Sequence, residues 1–370
     1  MATYYALPTL SVWGSTSGWS LTSGGADAGV APDTGDIAIF DANSGPARTI
    51  TLASYFIANL QNLSGRTFTF SGTADFYITS GSTGAIDLSN CVFLVRVYMY
   101  GNTSGGSRNL RAVNASLQDL TILLGSITLQ SDLLVKGTLS LSSGATTDAL
   151  RAGLVANGYT VTLAAFATSL TGGGSKMSTL DMGTGNWIVT GLSADGAAWW
   201  DSTTLSSFAG ASSTLIFRNS SGAARRVYVK IPGGTQFGTV WNDCGGMISL
   251  NLQYSNNGSL VPRVNLLKAS PGSITEIDTV SSGLPLYVGS TEINGSGLPI
   301  TLRGIRLGTN AIAYLTGVAG GFHTLFYANL LNLSFAAPSG VNWRAVRSTN
   351  SGFVTGMNFT KDAGSFFPFM

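Results

Sequence analysis

Glu276 and Glu292 are the only glutamates in the 370 residues, and Asp278 lies two positions beyond the first of them. Side chains two apart on a β-strand share a face, so Glu276 and Asp278 form a geometrically possible carboxylate pair. Paired carboxylates are the apparatus of glycoside hydrolysis, one acting as acid and the other as base or nucleophile. The competing reading is a solvated strand face, because the aspartates otherwise sit mostly in turns such as Pro32-Asp33, Asp195-Gly196 and Asn242-Asp243. His323 is the single histidine, in Gly321-Phe-His-Thr-Leu-Phe326, and it opens an aromatic strand, which favours a structural role. A nucleophilic triad would have to use it, yet no Gly-x-Ser-x-Gly elbow precedes a helix. One histidine and two cysteines without a CxxC provide no zinc ligand set. No calcium-loop spacing and no phosphate-binding glycine loop appear either. No catalytic, cofactor-binding or metal residues are therefore assigned.

The elements that would have to position such residues are short strands. From Leu117 to Ser143, Leu120, Ile122 and Leu124, then Ile127 and Leu129, Leu133 and Val135, and Leu139 and Leu141 alternate with small or polar residues. This is the period-two signature of a half-buried strand. The connectors (Gly125-Ser126, Gln130 to Asp132, Lys136-Gly137) are too short for a crossover helix, and such spacing suggests a meander or the coils of a solenoid. Further strands are read at 36–40, 48–52, 67–70, 76–78, 92–100, 159–163, 178–182, 186–190, 213–217, 227–231, 247–252, 284–288, 299–303, 324–327 and 358–360. The segment from Asp148 to Val155 is the best helix candidate and reads equally as a loop. The expected fold is all-β, mainly a β-solenoid of short strands with looped, aromatic caps at its ends. Four sections follow: a cap or attachment region over 1–48, a first β section over 49–115, the central solenoid over 116–260, and a C-terminal β section with an aromatic tail over 261–370.

Composition narrows the function classes. Hydrophobic residues make up 44%, which excludes a disordered chain, while charged residues make up only 10%. A Ser/Thr- and Gly-rich surface with so little charge suits a protein that packs against copies of itself, and parallel coils, whose stacked side chains would repel if charged. A net charge of +2 gives no argument for nucleic acid, and Arg225-Arg226, the one adjacent basic pair, reads as a solvated turn. No stretch reaches the length of a membrane helix, Arg96 interrupting the longest apolar run. The start, Met-Ala-Thr-Tyr-Tyr, lacks the basic beginning and apolar core of a signal peptide. Cys91 and Cys244 read as free thiols, with a long-range disulfide left open.

Aromatic residues supply the remaining candidates. Trp13 and Trp19 in the opening loops are placed as a cap over the first coil, whose strand edge would otherwise be bare. Trp199 and Trp200 form an aromatic knot in a loop, read as a hydrophobic plug or as a stacking platform for a sugar or a partner. Phe366, Phe367 and Phe369 make an aromatic tail that is costly to leave in water and is expected to be buried on a neighbour. These seven residues are the assembly candidates.

Several segments resemble structural proteins of tailed bacteriophages, a glycine-rich β-solenoid virion family. The resemblance rests on Trp19-Ser-Leu-Thr-Ser-Gly-Gly25 through Pro32 to Ile39-Phe-Asp-Ala-Asn-Ser44, and on Leu124-Gly-Ser-Ile-Thr-Leu129 to Gly137-Thr-Leu-Ser-Leu141 with Asn157-Gly-Tyr-Thr-Val-Thr162. It continues in Thr179-Leu-Asp-Met-Gly-Thr-Gly-Asn-Trp-Ile-Val-Thr-Gly191, Ser213-Thr-Leu-Ile-Phe217, Leu298-Pro-Ile-Thr-Leu-Arg303 and Thr355-Gly-Met-Asn-Phe-Thr360. Together these cover most of the chain. The chain departs from the family at Met357, where a tryptophan is usual, and in the ten residues that follow Thr360. The resemblance implies a non-enzymatic particle component, made in the host cytoplasm and released in the virion by lysis, with no cofactor. The expected function is a tail-fibre or adsorption-apparatus subunit; the alternatives are a head decoration (cement) protein, a non-viral adhesin and, last, a tailspike polysaccharide depolymerase. Expected partners are copies of the chain itself, as a homotrimer or other homo-oligomer, other virion proteins (tail or major capsid protein) and a host-surface glycan.

Overall fold

The computed structural model describes residues 1–52, 55–79, 84–101, 107–143, 151–170, 178–191, 197–219, 225–232, 234–245, 248–255, 262–278, 285–306 and 309–360. The fold is an all-β solenoid of stacked parallel strands. Among the described residues the only helical element is a single 3-10 turn, Ala42–Ser44, capped by Asp41. The coils group into two compact units, Met1–Trp187 with Thr204–Phe208, and Ile188–Thr203 with Ala209–Met370, a coarser division than the four sections expected.

In the first unit one wall is built by Arg48–Leu52, Phe68–Gly72, Cys91–Tyr100, Ser116–Leu124, Leu133–Ser143 and Val161–Leu170, each pairing in parallel with the next. The other wall runs through Ile37–Phe40, Asn59–Asn62, Ile86–Asp87, Ser107–Arg111, Ser126–Leu129, Gly153–Val155 and Ser178–Asp181. Register places like on like. Ile50, Phe70, Phe93, Leu117, Val135 and Leu163 form one inward column, and Phe76, Val97, Leu120, Leu139 and Phe166 form another; all are buried. Burying a side chain of this size contributes roughly 1.5–3 kcal/mol. No coil can bury both of its edges alone, so the column is the unit of stability.

The alternation read over 117–143 is observed, with one departure. Leu124 is only half-buried, because the register slips between Met99 and Tyr100 and turns it out of the column. Lys136-Gly137 is not a connector but an irregularity inside the continuous strand Leu133–Ser143. A β-carbon on Gly137 would lie 2.3 Å from Asp119 Oδ1 and 2.6 Å from the Gln118 carbonyl oxygen, so only glycine fits there. The segment 148–155, read as a helix candidate or equally as a loop, contains the strand Gly153–Val155, its Leu154 stacked between Ile127 and Leu180, and 148–150 lie outside the described residues. Coil corners are turned by Asn90, Asn114 and Asn157 at positive φ, the conformation asparagine tolerates best after glycine. Asn114 Nδ2 donates to Asn90 Oδ1 at 3.3 Å, so the corner itself is stacked.

Not every inward position is apolar. Arg108 heads the column Ile127–Leu154–Leu180 and is 1% exposed. Its guanidinium donates to the carbonyl oxygens of Ala58 (2.6 Å), Thr79 (2.7 Å), Gly84 (3.0 Å) and Tyr100 (3.4 Å). Burial pushes the group down to about 10, which leaves it cationic at neutral pH. A planar fork of five donors closes a corner where the carbonyls of successive coils converge. Arg108→Met removes the donors and keeps most of the volume. Stranding carbonyls in the core should lower the unfolding free energy of the first unit by about 3 kcal/mol or more, read as a drop in the urea midpoint. Arg108→Lys should recover little of it, since one ammonium cannot span four acceptors; a Lys variant as stable as wild type would refute the fork.

Candidate functional site

The carboxylate pair lies in the second unit. Arg225–Pro232, Ile248–Ser255, Ile274–Asp278 and Ile300–Arg306 are successive parallel strands, with Tyr228, Asn251, Glu276 and Arg303 in one register line. Thr275 and Ile277 occupy the inward positions, so Glu276 and Asp278 do share the opposite face. They do not form the solvated surface that was the main expectation for these positions. Both are fully buried.

Two arginines cover Glu276. Arg303, one coil on, donates from Nε to Oε1 at 2.9 Å, and its Nη2 contacts the same oxygen. Arg226, from two coils before, donates from Nη2 to Oε1 at 2.8 Å and sets its Nε 2.6 Å from Oε2. Arg226 is thus not a solvated turn residue. It lies in the strand Arg225–Pro232, with its head group turned across the intervening coil. Each arginine is 29% exposed and Glu276 is not exposed at all, an arrangement in which the outer charges reach water and the inner one is reached only through them. Charge-assisted hydrogen bonds of this kind are strong; here they converge on Oε1, while Oε2 is held by the ion-pair contact with Arg226 Nε. A glycosidic acid needs a transferable proton at a surface that a sugar can reach. Glu276 has no such surface, lying fully buried beneath two arginines, and its geometry is that of a clamp joining three coils.

Glu292, the other glutamate, is surface-exposed and accepts from Lys268 Nζ at 2.6 Å. Lys268 also lies 4.5 Å from the centre of the Trp241 ring, in an outward line Trp241–Lys268–Glu292. Asp243 lies in the strand Gln236–Cys244 and pairs with Arg218 at 2.8 Å, so the turn expected at Asn242-Asp243 does not form. Asp195-Gly196 lies outside the described residues.

His323 is 2% exposed; its Nε2 lies 3.1 Å from the Val318 carbonyl oxygen and its ring packs 4.5 Å from Trp343. Cys91 and Cys244 are both buried and free. Burial pushes the Cys91 thiol up, which makes it a poor nucleophile. Among the described residues no group of three His, Cys, Asp or Glu side chains gathers to hold a metal, and no helix is long and apolar enough to cross a membrane.

The tryptophans were assigned to contacts on exposed-aromatic grounds, and here the structure corrects the reading. Trp13, Trp19, Trp199 and Trp200 are all fully buried. Trp13 packs against Trp19, Phe40, Tyr55, Phe70 and Phe76 with ring centres 4.9–6.1 Å apart, closing the first coil from within. Trp199 and Trp200 belong to a strand, Ala198–Asp201, rather than a loop. Gly191, at φ +86°, lets the chain pass over Trp199, where a β-carbon would come within 2.1 Å of the ring. None of the four offers a ring face to a sugar or a partner. Phe366, Phe367 and Phe369 lie outside the described residues.

The exposed aromatic surface is elsewhere. Phe56, Tyr77 and Tyr98 point outward from the first unit and stack face to face, with centres 4.3 and 4.6 Å apart and interplanar angles of 14° and 5°. They recur every twenty-one residues, a period that lies between strands and that the alternation within any one strand does not reveal. No family model, curated protein or solved structure matches the chain.

Replacing Glu276 by Gln leaves two guanidinium groups facing a neutral amide. Breaking a buried ion pair from one side costs about 3–5 kcal/mol. The thermal transition of Glu276→Gln should fall well below that of wild type, whereas Glu292→Gln, which removes a surface pair worth about 0–1 kcal/mol, should leave it unchanged. Equal transitions for the two variants would refute the clamp.

Proposed function

We propose that this chain is a structural subunit of a tailed-phage particle, a component of the tail-fibre or adsorption apparatus that assembles with copies of itself, as a trimer in the first instance. The observation that carries the reading is the stacking itself. Inward apolar columns, stacked corners and buried polar clamps build a stiff element with little charge, and they leave no open carboxylate pair at Glu276 and Asp278. Such a body suits mechanical work and presents long repetitive faces to neighbours. The resemblance of its glycine-rich segments to phage β-solenoid proteins points the same way.

Large apolar side chains are left in water in both units, among them Leu21, Leu63 and Leu94 in the first and Leu298, Phe322 and Phe353 in the second. Exposed apolar side chains of this kind offer surface that a partner can cover. The aromatic tail at 366–369 continues the same composition in sequence.

Location on the particle is the decisive test. Gold-labelled antibody against the chain, imaged on intact virions, should decorate the tail. Label spread over the head would replace the fibre by a cement protein bridging capsid subunits, and absence of label from purified particles would overturn the virion assignment. Sedimentation of the purified chain should give the mass of a trimer, and a monomer at micromolar concentration would remove self-assembly. Cleavage of polysaccharide by the intact chain, lost in a folded Glu276→Gln variant, would restore the depolymerase.

A further inference from the structure

The ladder Phe56–Tyr77–Tyr98 ends abruptly. In the same outward line the next strands carry Thr121 and then Ser140, whose side chains are too short to continue it. One face of the Tyr98 ring lies on Tyr77, and its other side looks over this drop. The result is a groove of about 390 Å³, within the range of roughly 300–1,000 Å³ usual for small-ligand sites. It crosses the strands Cys91–Tyr100, Ser116–Leu124, Leu133–Ser143 and Val161–Leu170, three interstrand steps or about 14 Å.

The lining has a consistent chemistry. Tyr98 forms the wall with Leu123 as a second apolar contact, and hydroxyls of Thr121, Thr138, Ser140 and Ser142 line most of the rest, Ser142 already bonded to Ser169 at 3.0 Å. Arg96 leans over the Tyr98 ring, 5.9 Å from its centre, and donates to the phenol oxygen at 3.2 Å. Asp119 is fixed by the Thr138 N–H on Oδ1 at 2.7 Å, and Oδ2 makes no hydrogen bond to another described residue. The groove therefore holds one flat apolar face, several hydroxyls that both donate and accept, one carboxylate acceptor and one guanidinium donor. We propose that it binds a carbohydrate chain. A pyranose ring has a face of C–H groups to lay against Tyr98 and a rim of hydroxyls to exchange hydrogen bonds with the serine and threonine side chains and with Asp119 and Arg96. A lipid would leave the hydroxyls unpaired. A polyphosphate would meet Asp119 with a single arginine to offset it. A β-strand peptide would need an open sheet edge, and every strand of this wall is paired on both sides among the coils that line the groove.

The inference rests on the groove and stands apart from the particle assignment: label on the head with sugar binding would keep it, and label on the tail without sugar binding would remove it. Affinity electrophoresis of the full chain through gels containing dextran, galactomannan or alginate, followed by a printed array of microbial oligosaccharides, should show retention by at least one of them. Ser140→Trp fills the groove from an outward position, and Tyr98→Ala removes its wall. Each should weaken that binding about tenfold or more, Ser140→Trp by filling the groove and Tyr98→Ala by removing the ring face. Phe56→Ala, at the far end of the ladder, should bind as wild type does. Retention by none of these glycans, or a folded Ser140→Trp variant that binds like wild type, would overturn the proposal.

Discussion

Parallel in-register stacking of each coil on the last is the constraint from which the rest of this molecule follows. A strand rises through the wall with its neighbours about 4.8 Å away on either side, so every side chain meets its counterpart from the next coil at nearly that distance. Apolar residues gain from such contact, as in the column from Ile50 to Leu163. Flat rings gain too, which is why Phe56, Tyr77 and Tyr98 stack at spacings of 4.3 and 4.6 Å. Like charges at that distance would repel, and the scarcity of Lys, Arg, Asp and Glu is the compositional trace of this rule. Where two charges do meet in neighbouring positions of a register line they can come in opposite signs, as at Lys268–Glu292 and Glu276–Arg303.

The same constraint decides how polar groups survive inside. A coil corner interrupts the hydrogen-bond ladder, and the carbonyls released there need donors. The two units solve this alike. In the first, Asn62 Nδ2 donates to the carbonyls of Arg66 (2.9 Å) and Ser89 (2.8 Å); in the second, Asn242 Nδ2 donates to the Ile274 carbonyl (2.9 Å) and Thr275 Oγ1 (2.8 Å). Each amide oxygen in turn accepts a backbone N–H two residues on, from Ser64 and from Cys244. Arg108 is the larger version of this device, reaching carbonyls that no amide could span. Glu276 is its inverse, an acceptor held by donors from coils on either side. These groups tie coil to coil by direction as well as by burial, which holds the register where alternation alone would allow a slip.

Fold class and many strands were legible because period-two alternation is a local signal. Arg48–Leu52, Phe76–Ile78 and Asn358–Thr360 carry it within their own few residues. Gln236–Cys244 does not: its glycine, asparagine and aspartate imitate a turn, and only pairing with 209–219 and Arg263–Ala269 makes it a strand. The candidate sites were less legible because burial on a solenoid is a property of neighbouring coils. Nothing local distinguishes Glu276 between two arginines from Glu276 in water, since Arg226 and Arg303 lie fifty and twenty-seven residues away. The tryptophans misled for the converse reason. Glycine- and serine-rich surroundings suggest exposure, yet in this fold small residues are what allow a large ring to be enclosed, as Gly191 does for Trp199.

Stacking also separates what can vary from what cannot. An inward residue is answerable to neighbours above, below and across the core, so a change in one coil is felt by several. An outward residue answers only to the two beside it in its own line. The outward line through Phe56 therefore changes from rings to hydroxyls between Tyr98 and Thr121 while the inward lines on either side, through Val97 and Met99, continue unbroken into Leu120 and Ile122. A recognition surface can be written on such a wall without disturbing what supports it. The step at Tyr98 is a place where that freedom has produced a concave, chemically mixed surface rather than a continued ladder.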